Sequence, residues 1–304
     1  MTVVSLSLPA RRNWYLPAVW VVTVLVSLLP DILFRELGNG LPSWLVWAKV
    51  SLVAALLAAS LAWKALRPLW LFFTVLLAVS LLEWGVGEFF SSVSYKTWLF
   101  GSPSFVQDVG SVEIPRLATG LLMMLLMLAL TGSFSRFFFV KGNLGAPAKP
   151  IPWILTRPPS WRVLGPAIAA AMCLGLLAFV FIFGQPPSLA TLGSALPLLP
   201  FVLVFALVNS FGEEMIYRAP WLGALEDVVG PAQALLVTAV YFGLGHFYGV
   251  PYGVVGVLMA FIPGWLMGKS MLETRGFAWA WIIHFCMDAT IFFFMALGSV
   301  TPGG

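Results

Sequence analysis

The sequence predicts an all-α, polytopic integral membrane protein: a helix bundle with about nine transmembrane helices, or eight. Two observations carry this. Of 304 residues, 61% are hydrophobic and only 9% are charged, against roughly 25% charged in an ordinary soluble domain. The apolar residues also lie in long unbroken runs rich in Leu, Ala, Val and Phe. Backbone in lipid must satisfy its own hydrogen bonds, which leaves helices or closed barrels. Barrel strands are short and alternate apolar with polar residues, so these runs read as helices.

Nine stretches qualify: 14–33, 43–63, 68–90, 114–131, 164–184, 189–216, 231–247, 252–271 and 277–297. The first follows Arg11 and Arg12. It has no clean small-residue cleavage site, so it reads as an uncleaved helix and not as a signal peptide. A re-entrant stretch near the N-terminus would reduce the count to eight. The third ends with two acids at membrane depth, Glu83 and Glu88. Such acids more often satisfy a helix end or a neighbouring helix than meet substrate.

The fourth stretch is followed by the longest break in the pattern. It holds Pro147, Pro150, Pro152, Pro158 and Pro159, together with a run of Lys and Arg. Phe137, Phe138, Phe139 and Trp153 are expected to rest at the membrane surface. Three regions follow from this: a four-span N-terminal region of unassigned role (1–131), a basic Pro-rich cytoplasmic linker (132–162) and a five-span catalytic region (163–304).

The formal net charge is +4, but the Lys and Arg sit between spans, so topology explains them better than nucleic acid does. With the N-terminus inside, twelve basic residues fall on the inner side; only Arg35, Lys49, Lys96 and Arg116 fall outside or at the membrane edge. The N-terminus is therefore expected to be cytoplasmic, in a bacterial or archaeal inner membrane. Cys173 and Cys286 lie within spans and suggest no disulfide framework. Cys286 stands two residues after His284, about 160° away around a helix, which favours packing over a nucleophilic role.

The chemistry-bearing residues gather in the last five spans. Glu213 and Glu214 are adjacent, and Arg218 follows Glu214 at helical i, i+4 spacing, which suits an ion pair along one face. Glu213 is rotated by roughly 100° from Glu214, and Tyr217 shares its face. One carboxylate is then tied to an arginine, leaving the other to act as a general base. His246 follows Glu213 by 33 residues on the next span. His284 and Asp288, again at i, i+4, share a face of the last span, so the carboxylate can accept the ring N–H. These two histidines are the only ones in the chain, and ionisable groups at membrane depth are functional suspects by default.

Two chemistries fit. Glu213 and His246 can polarise a water while His284 and its partner stabilise an oxyanion. Alternatively, two histidines and the carboxylates can hold a metal. The chain has no H-E-x-x-H helix and no G-x-S-x-G elbow.

Glu213-Glu214-Met215-Ile216-Tyr217-Arg218, then Phe242 through His246, then His284 through Asp288, resemble the E-E-x-x-x-R, F-x-x-x-H and H-x-x-x-N/D motifs of a known family. It is the CAAX prenyl protease type II and bacteriocin-processing (CPBP) family of intramembrane glutamic proteases. The resemblance covers 189–297. It implies Glu213 as the residue that activates water, His246 as its partner, His284 and Asp288 as the oxyanion-side pair, and Glu214 and Arg218 as support. It also implies no metal and no cofactor, and a membrane-associated protein or peptide as substrate. Asp288 stands where the best-known members have Asn, and an ionised Asp has no N–H to donate. The competing functions are a non-enzymatic scaffold or bacteriocin-immunity protein, a metal-dependent membrane protease and, least favoured, a proton-coupled transporter. The last lacks matched broken helices and repeat symmetry.

Overall fold

The computed structural model describes residues 14–38, 40–91, 104–152, 154–184 and 186–300. Arg11, Arg12, Lys96 and Trp153 lie outside the described residues. The elements are α1 (Tyr15–Val26), α2 (Leu29–Glu36), α3 (Trp44–Ala62), α4 (Trp70–Phe90), α5 (Phe105–Thr131), α6 (Trp161–Phe183), α7 (Leu189–Ala195) and α8 (Leu199–Glu213). A π-helical turn, Glu214–Arg218, leads into α9 (Ala219–Val229), followed by α10 (Pro231–Leu244), α11 (Val254–Thr274) and α12 (Ala278–Val300). Among the described residues there is no β-strand; only two isolated bridges occur, Pro147 with Ser160 and Ile151 with Leu155.

Seven helical stretches are long and apolar enough to cross a membrane, or eight if the bent pair α1–α2 forms one span. The count falls below nine for physical reasons. The seventh stretch becomes α10, with 14 residues; at 1.5 Å per residue it reaches only about 21 Å, short of a hydrocarbon core of about 30 Å. The first stretch breaks into α1 and α2, bent by 44°. Pro30 stands at the start of α2, and the Ser27 hydroxyl accepts the Leu29 N–H at 3.1 Å.

The fourth stretch begins at Phe105, well before the expected 114. Ser104 caps it by accepting the Gln107 N–H at 3.2 Å, and Asp108 in its first turn complements the helix dipole. Glu113 and Arg116 therefore lie inside a helix and not before its start. The sixth stretch runs on to Val229 through the π-turn. Two further basic residues counted as inner-loop charges also lie within helices: Arg218 is buried with Glu214, and Lys269 with Glu273.

The chain forms two compact units. The first comprises 1–80 and 221–265, the second 81–220 and 266–304. In the first, Leu69 just before α4 and Phe72, Val75 and Leu76 of α4 are buried, as are Trp221, Leu222 and Leu225 of α9. Trp221 packs edge-on to Phe72 at 6.0 Å and against Tyr241 at 4.2 Å. Polar ties within it include Trp20 Nε1 donating to Gln233 at 3.2 Å, Lys49 donating to the Ser27 carbonyl at 2.7 Å, and Lys49 paired with Asp31.

In the second unit α8 is central, packed against α5 and α12, while α6 packs on α12. Phe105, Val109, Val202, Phe205, Ala206, Phe292 and Ala296 form its apolar core. The linker is part of this unit. Phe137 and Phe138 are fully buried, contrary to the expected membrane-surface position, with the Arg275 guanidinium 4.9 Å from the Phe138 ring. The linker docks on the α11–α12 turn: Asn143 N–H donates to Thr274 O at 2.8 Å and Phe277 N–H to Val140 O at 3.0 Å. Gly142 (φ +77°) lies so close to Gly276 that a Cβ on it would come 2.7 Å from Gly276 Cα.

Candidate active site

The site of the second unit begins with a close helix crossing. A Cβ on Gly120 of α5 would stand 3.0 Å from Gly212 Cα, and a Cβ on Gly212 would stand 3.0 Å from Arg116 Cγ. Small residues let helix backbones approach where lipid gives no hydrophobic drive. Arg116 is thereby laid against α8 one residue before Glu213. The π-turn begins at Glu214; single π-turns within α-helices recur at functional sites. Ser210 needs no outside partner, since its hydroxyl donates to the Ala206 carbonyl one turn back at 2.7 Å.

Five of the seven residues singled out in the sequence meet in this unit. Glu213, Glu214, Arg218, His284 and Asp288 are all buried. Glu214 and Arg218 form the expected ion pair, with both side chains fully buried. His284 stands among three carboxylates. Its Nδ1 is 2.8 Å from Glu214 Oε1, and its Nε2 is 3.5 Å from Glu213 Oε2 and 3.6 Å from Asp288 Oδ1. A carboxylate only accepts, so Nδ1 carries the proton donated to Glu214. The other edge of the ring then faces Glu213 and Asp288.

This differs from the sequence expectation in one respect. Asp288 was expected to accept the ring N–H of His284, but Glu214 does so. Asp288 instead accepts a hydrogen bond from Asn209 Nδ2 at 2.8 Å. The cause is positional: the π-turn holds Glu214 against both Arg218 and α12.

Tyr217 donates its hydroxyl to Glu83 of α4, so one of the two acids at the end of the third stretch joins the surroundings of the motif helix. His246 belongs to the first unit, just past the end of α10. It is half-buried; its Nδ1 is 2.9 Å from the Phe242 carbonyl, and its ring centroid is 4.6 Å from that of Phe242. A carbonyl only accepts, so Nδ1 is the protonated nitrogen and Nε2 carries the lone pair.

Sequence reasoning missed three residues. Arg116 approaches Glu213 (Nε to Oε1, 3.6 Å), and its Nη1 is 2.9 Å from each Glu113 carboxylate oxygen. The same Nη1 donates to Asn209 Oδ1, so Asn209 bridges Arg116 and Asp288. A polar Asn one helical turn before Glu213 was a signal in the sequence. Nothing in the sequence alone pointed to Arg116. Among the described residues no group of three or more His, Cys, Asp or Glu is arranged to hold a metal ion.

Such a cluster can move a proton and meet a developing negative charge within helices that span a bilayer. Nothing among curated proteins or solved structures matches the chain. Residues 195–290, which include Glu213, His246 and Asp288, match the family model Rce1-like, described as Type II CAAX prenyl endopeptidase Rce1-like. Over that third of its length this integral membrane protein is similar to the type II CAAX prenyl endopeptidases, and the match supports a protease.

Proposed function

We propose that the protein is an intramembrane endopeptidase that hydrolyses a peptide bond in a membrane-associated protein or peptide, with Glu213 activating the water. The observation that carries this is the facing of Glu213 Oε2 and His284 Nε2 at 3.5 Å, inside the segment that matches an endopeptidase family. Two polar atoms so placed can both touch one water.

Glu213 takes a proton from the water, and the oxygen attacks the substrate carbonyl carbon. The negative charge that forms on the carbonyl oxygen is met by a donor from the His284 side. The intermediate collapses, the C–N bond breaks, and Glu213 returns its proton to the leaving amine. Glu214 holds His284 by Nδ1, and Arg218 compensates the charge of Glu214. The motif resemblance assigns His246 to the same water. Asp288 is placed on the oxyanion side, holding its local network through Asn209. A cytoplasmic N-terminus belongs to this reading, supported by the distribution of basic residues in the sequence; a reporter fused to it would test it.

The test is a peptidomic comparison of host membranes expressing wild type and Glu213→Gln at matched protein levels. The expected result is a set of new peptide termini present only with wild type, whose sequences identify the substrate and the membrane side of cleavage. Identical termini from both folded proteins would defeat the proposal. His246→Ala and His284→Ala are expected to lose the same termini without loss of folded protein.

A further inference from the structure

We infer that Arg116 is a further catalytic residue: its guanidinium donates to the oxyanion of the tetrahedral intermediate, and Asn209 is the residue that positions it. This rests on the hydrolytic reading above. Arg116 comes from α5, outside the segment that matches the family model.

Peptide hydrolysis places a negative charge on the former carbonyl oxygen, and preorganised donors aimed at it usually supply the largest part of the catalysis. Asp288 is poorly suited, because an ionised carboxylate has no proton to donate. The amide that such a position would otherwise offer is present on the neighbouring helix, as Asn209. Its N–H is already directed at Asp288, at 2.8 Å. Beside these groups stands a donor-only cation, Arg116, with its Nε 3.6 Å from Glu213 Oε1.

Three features distinguish Arg116 from a buried structural cation. Its side chain is 27% exposed, against 10% for Glu213, 6% for His284 and 7% for Asp288; by contrast Arg218, tied to Glu214, is 0% exposed. Of this set it is the group most open to an incoming substrate. Its contacts with Glu113, Asn209 and Glu213 are made through Nη1 and Nε; among the described residues no hydrogen bond is made through Nη2 of the five-donor fork, which leaves it for a substrate oxygen. Its stem is fixed against Gly212, where a Cβ would stand 3.0 Å from Arg116 Cγ. A fixed stem, a held Nη1 and an open Nη2 amount to preorganisation.

The rival account is that Arg116 only keeps Glu213 and Glu113 charged. The two separate by pH profile. Membranes carrying wild type, Glu213→Gln, Arg116→Lys or the double variant Glu113→Gln/Arg116→Gln are followed for the rate at which Glu213-dependent termini appear, from about pH 5.5 to about pH 9. The double variant removes both charges of the Glu113–Arg116 pair, so Glu113 is not left as a stranded carboxylate, and only Glu213 loses the cation beside it.

If Arg116 meets the oxyanion, the double variant slows the reaction roughly 10²–10³-fold at every pH. Arg116→Lys, which keeps the charge and loses the fork, recovers part of the rate at every pH. Asn209→Ala lowers the rate by a smaller pH-independent factor and adds little on top of Arg116→Lys, because the two act as one unit. A rate that climbs back to wild type at high pH overturns the inference in favour of mere charge compensation. A wild-type rate at all pH values overturns it in favour of a structural role. Should the double variant fail to accumulate, Arg116→Lys decides alone by the same criteria. An absence of Glu213-dependent termini defeats the hydrolytic reading itself and this inference with it; Glu213-dependent termini made at full rate without Arg116 defeat only the inference.

Discussion

The second unit holds two buried ion pairs of the same local design, and they do different work. Glu214 with Arg218 and Lys269 with Glu273 are both at i, i+4 on apolar helices. In each, the carboxylate has a further contact. Glu214 meets the imidazole of His284 at 2.8 Å. Glu273 accepts the Trp161 indole N–H at 2.8 Å and the Lys149 backbone N–H at 3.0 Å. An indole and an amide here only donate, whereas an imidazole carries a second ring nitrogen that can give or take a proton. In the proposed mechanism the third partner therefore decides whether a buried pair fastens the chain or sets up chemistry. Glu273 fastens the linker to the α11–α12 turn; Glu214 fixes the ring that faces Glu213.

The strongest way to break the first pair is Arg218→Ala. With Arg218 and Glu214 both fully buried, the variant strands a carboxylate, and about 3–5 kcal/mol of stability should be lost. Thermal unfolding in detergent is expected to show a large fall in midpoint, with little protein accumulating in the membrane. An unchanged midpoint would mean that His284 alone is able to hold Glu214.

Lys269→Met should be milder. Glu273 keeps its indole and backbone donors, and the Met fills most of the volume of the lysine stem. The expected loss is about 1–3 kcal/mol, with the rate of Glu213-dependent cleavage unaltered in the folded fraction. A cleavage rate that falls as far as it does for Glu214→Ala would erase the distinction between fastening pair and working pair. Gly142→Ala probes the same fastening from the linker side. Gly142 has φ +77°, and a Cβ on it would meet the backbone of Gly276 and Thr274 at 2.7 Å. A cost of about 1–3 kcal/mol from the strained backbone should appear as linker cleavage by added protease at lower temperature than in wild type.

The local patterns could be read from the sequence because helical spacing is local physics. Glu214 and Arg218 pair, and His284 and Asp288 share a side of α12, because i and i+4 meet on any helix. What could not be read came from contacts between distant segments. Hydropathy starts the fourth stretch at 114, just after Glu113 and beside Arg116, because charges look like a boundary. The fold instead carries α5 through them, since each compensates the other and Asn209 receives Arg116. Likewise Phe137 and Phe138 looked like membrane-surface anchors, although they are buried beneath the α11–α12 turn. The π-turn is a third case: a single turn of five residues leaves no periodic trace, yet it puts Glu214 where Asp288 was expected.

The smallest expected effect sharpens the comparison from the other side of α12. Cys286 lies two residues beyond His284 and is half-buried. Its carbonyl accepts the Cys173 thiol at 3.3 Å and the Thr290 hydroxyl at 2.9 Å, so its surroundings are those of helix packing between α6 and α12. A thiol nucleophile needs an adjacent base, and both edges of the His284 ring are turned to carboxylates. Cys286→Ala should therefore shift stability by less than about 1 kcal/mol and leave Glu213-dependent cleavage at the wild-type rate. A thiol-alkylating reagent should likewise leave that rate intact. Loss of cleavage in Cys286→Ala with the fold preserved would transfer the chemistry from the carboxylate to the sulfur, and Glu214 would then be a fastening residue like Glu273.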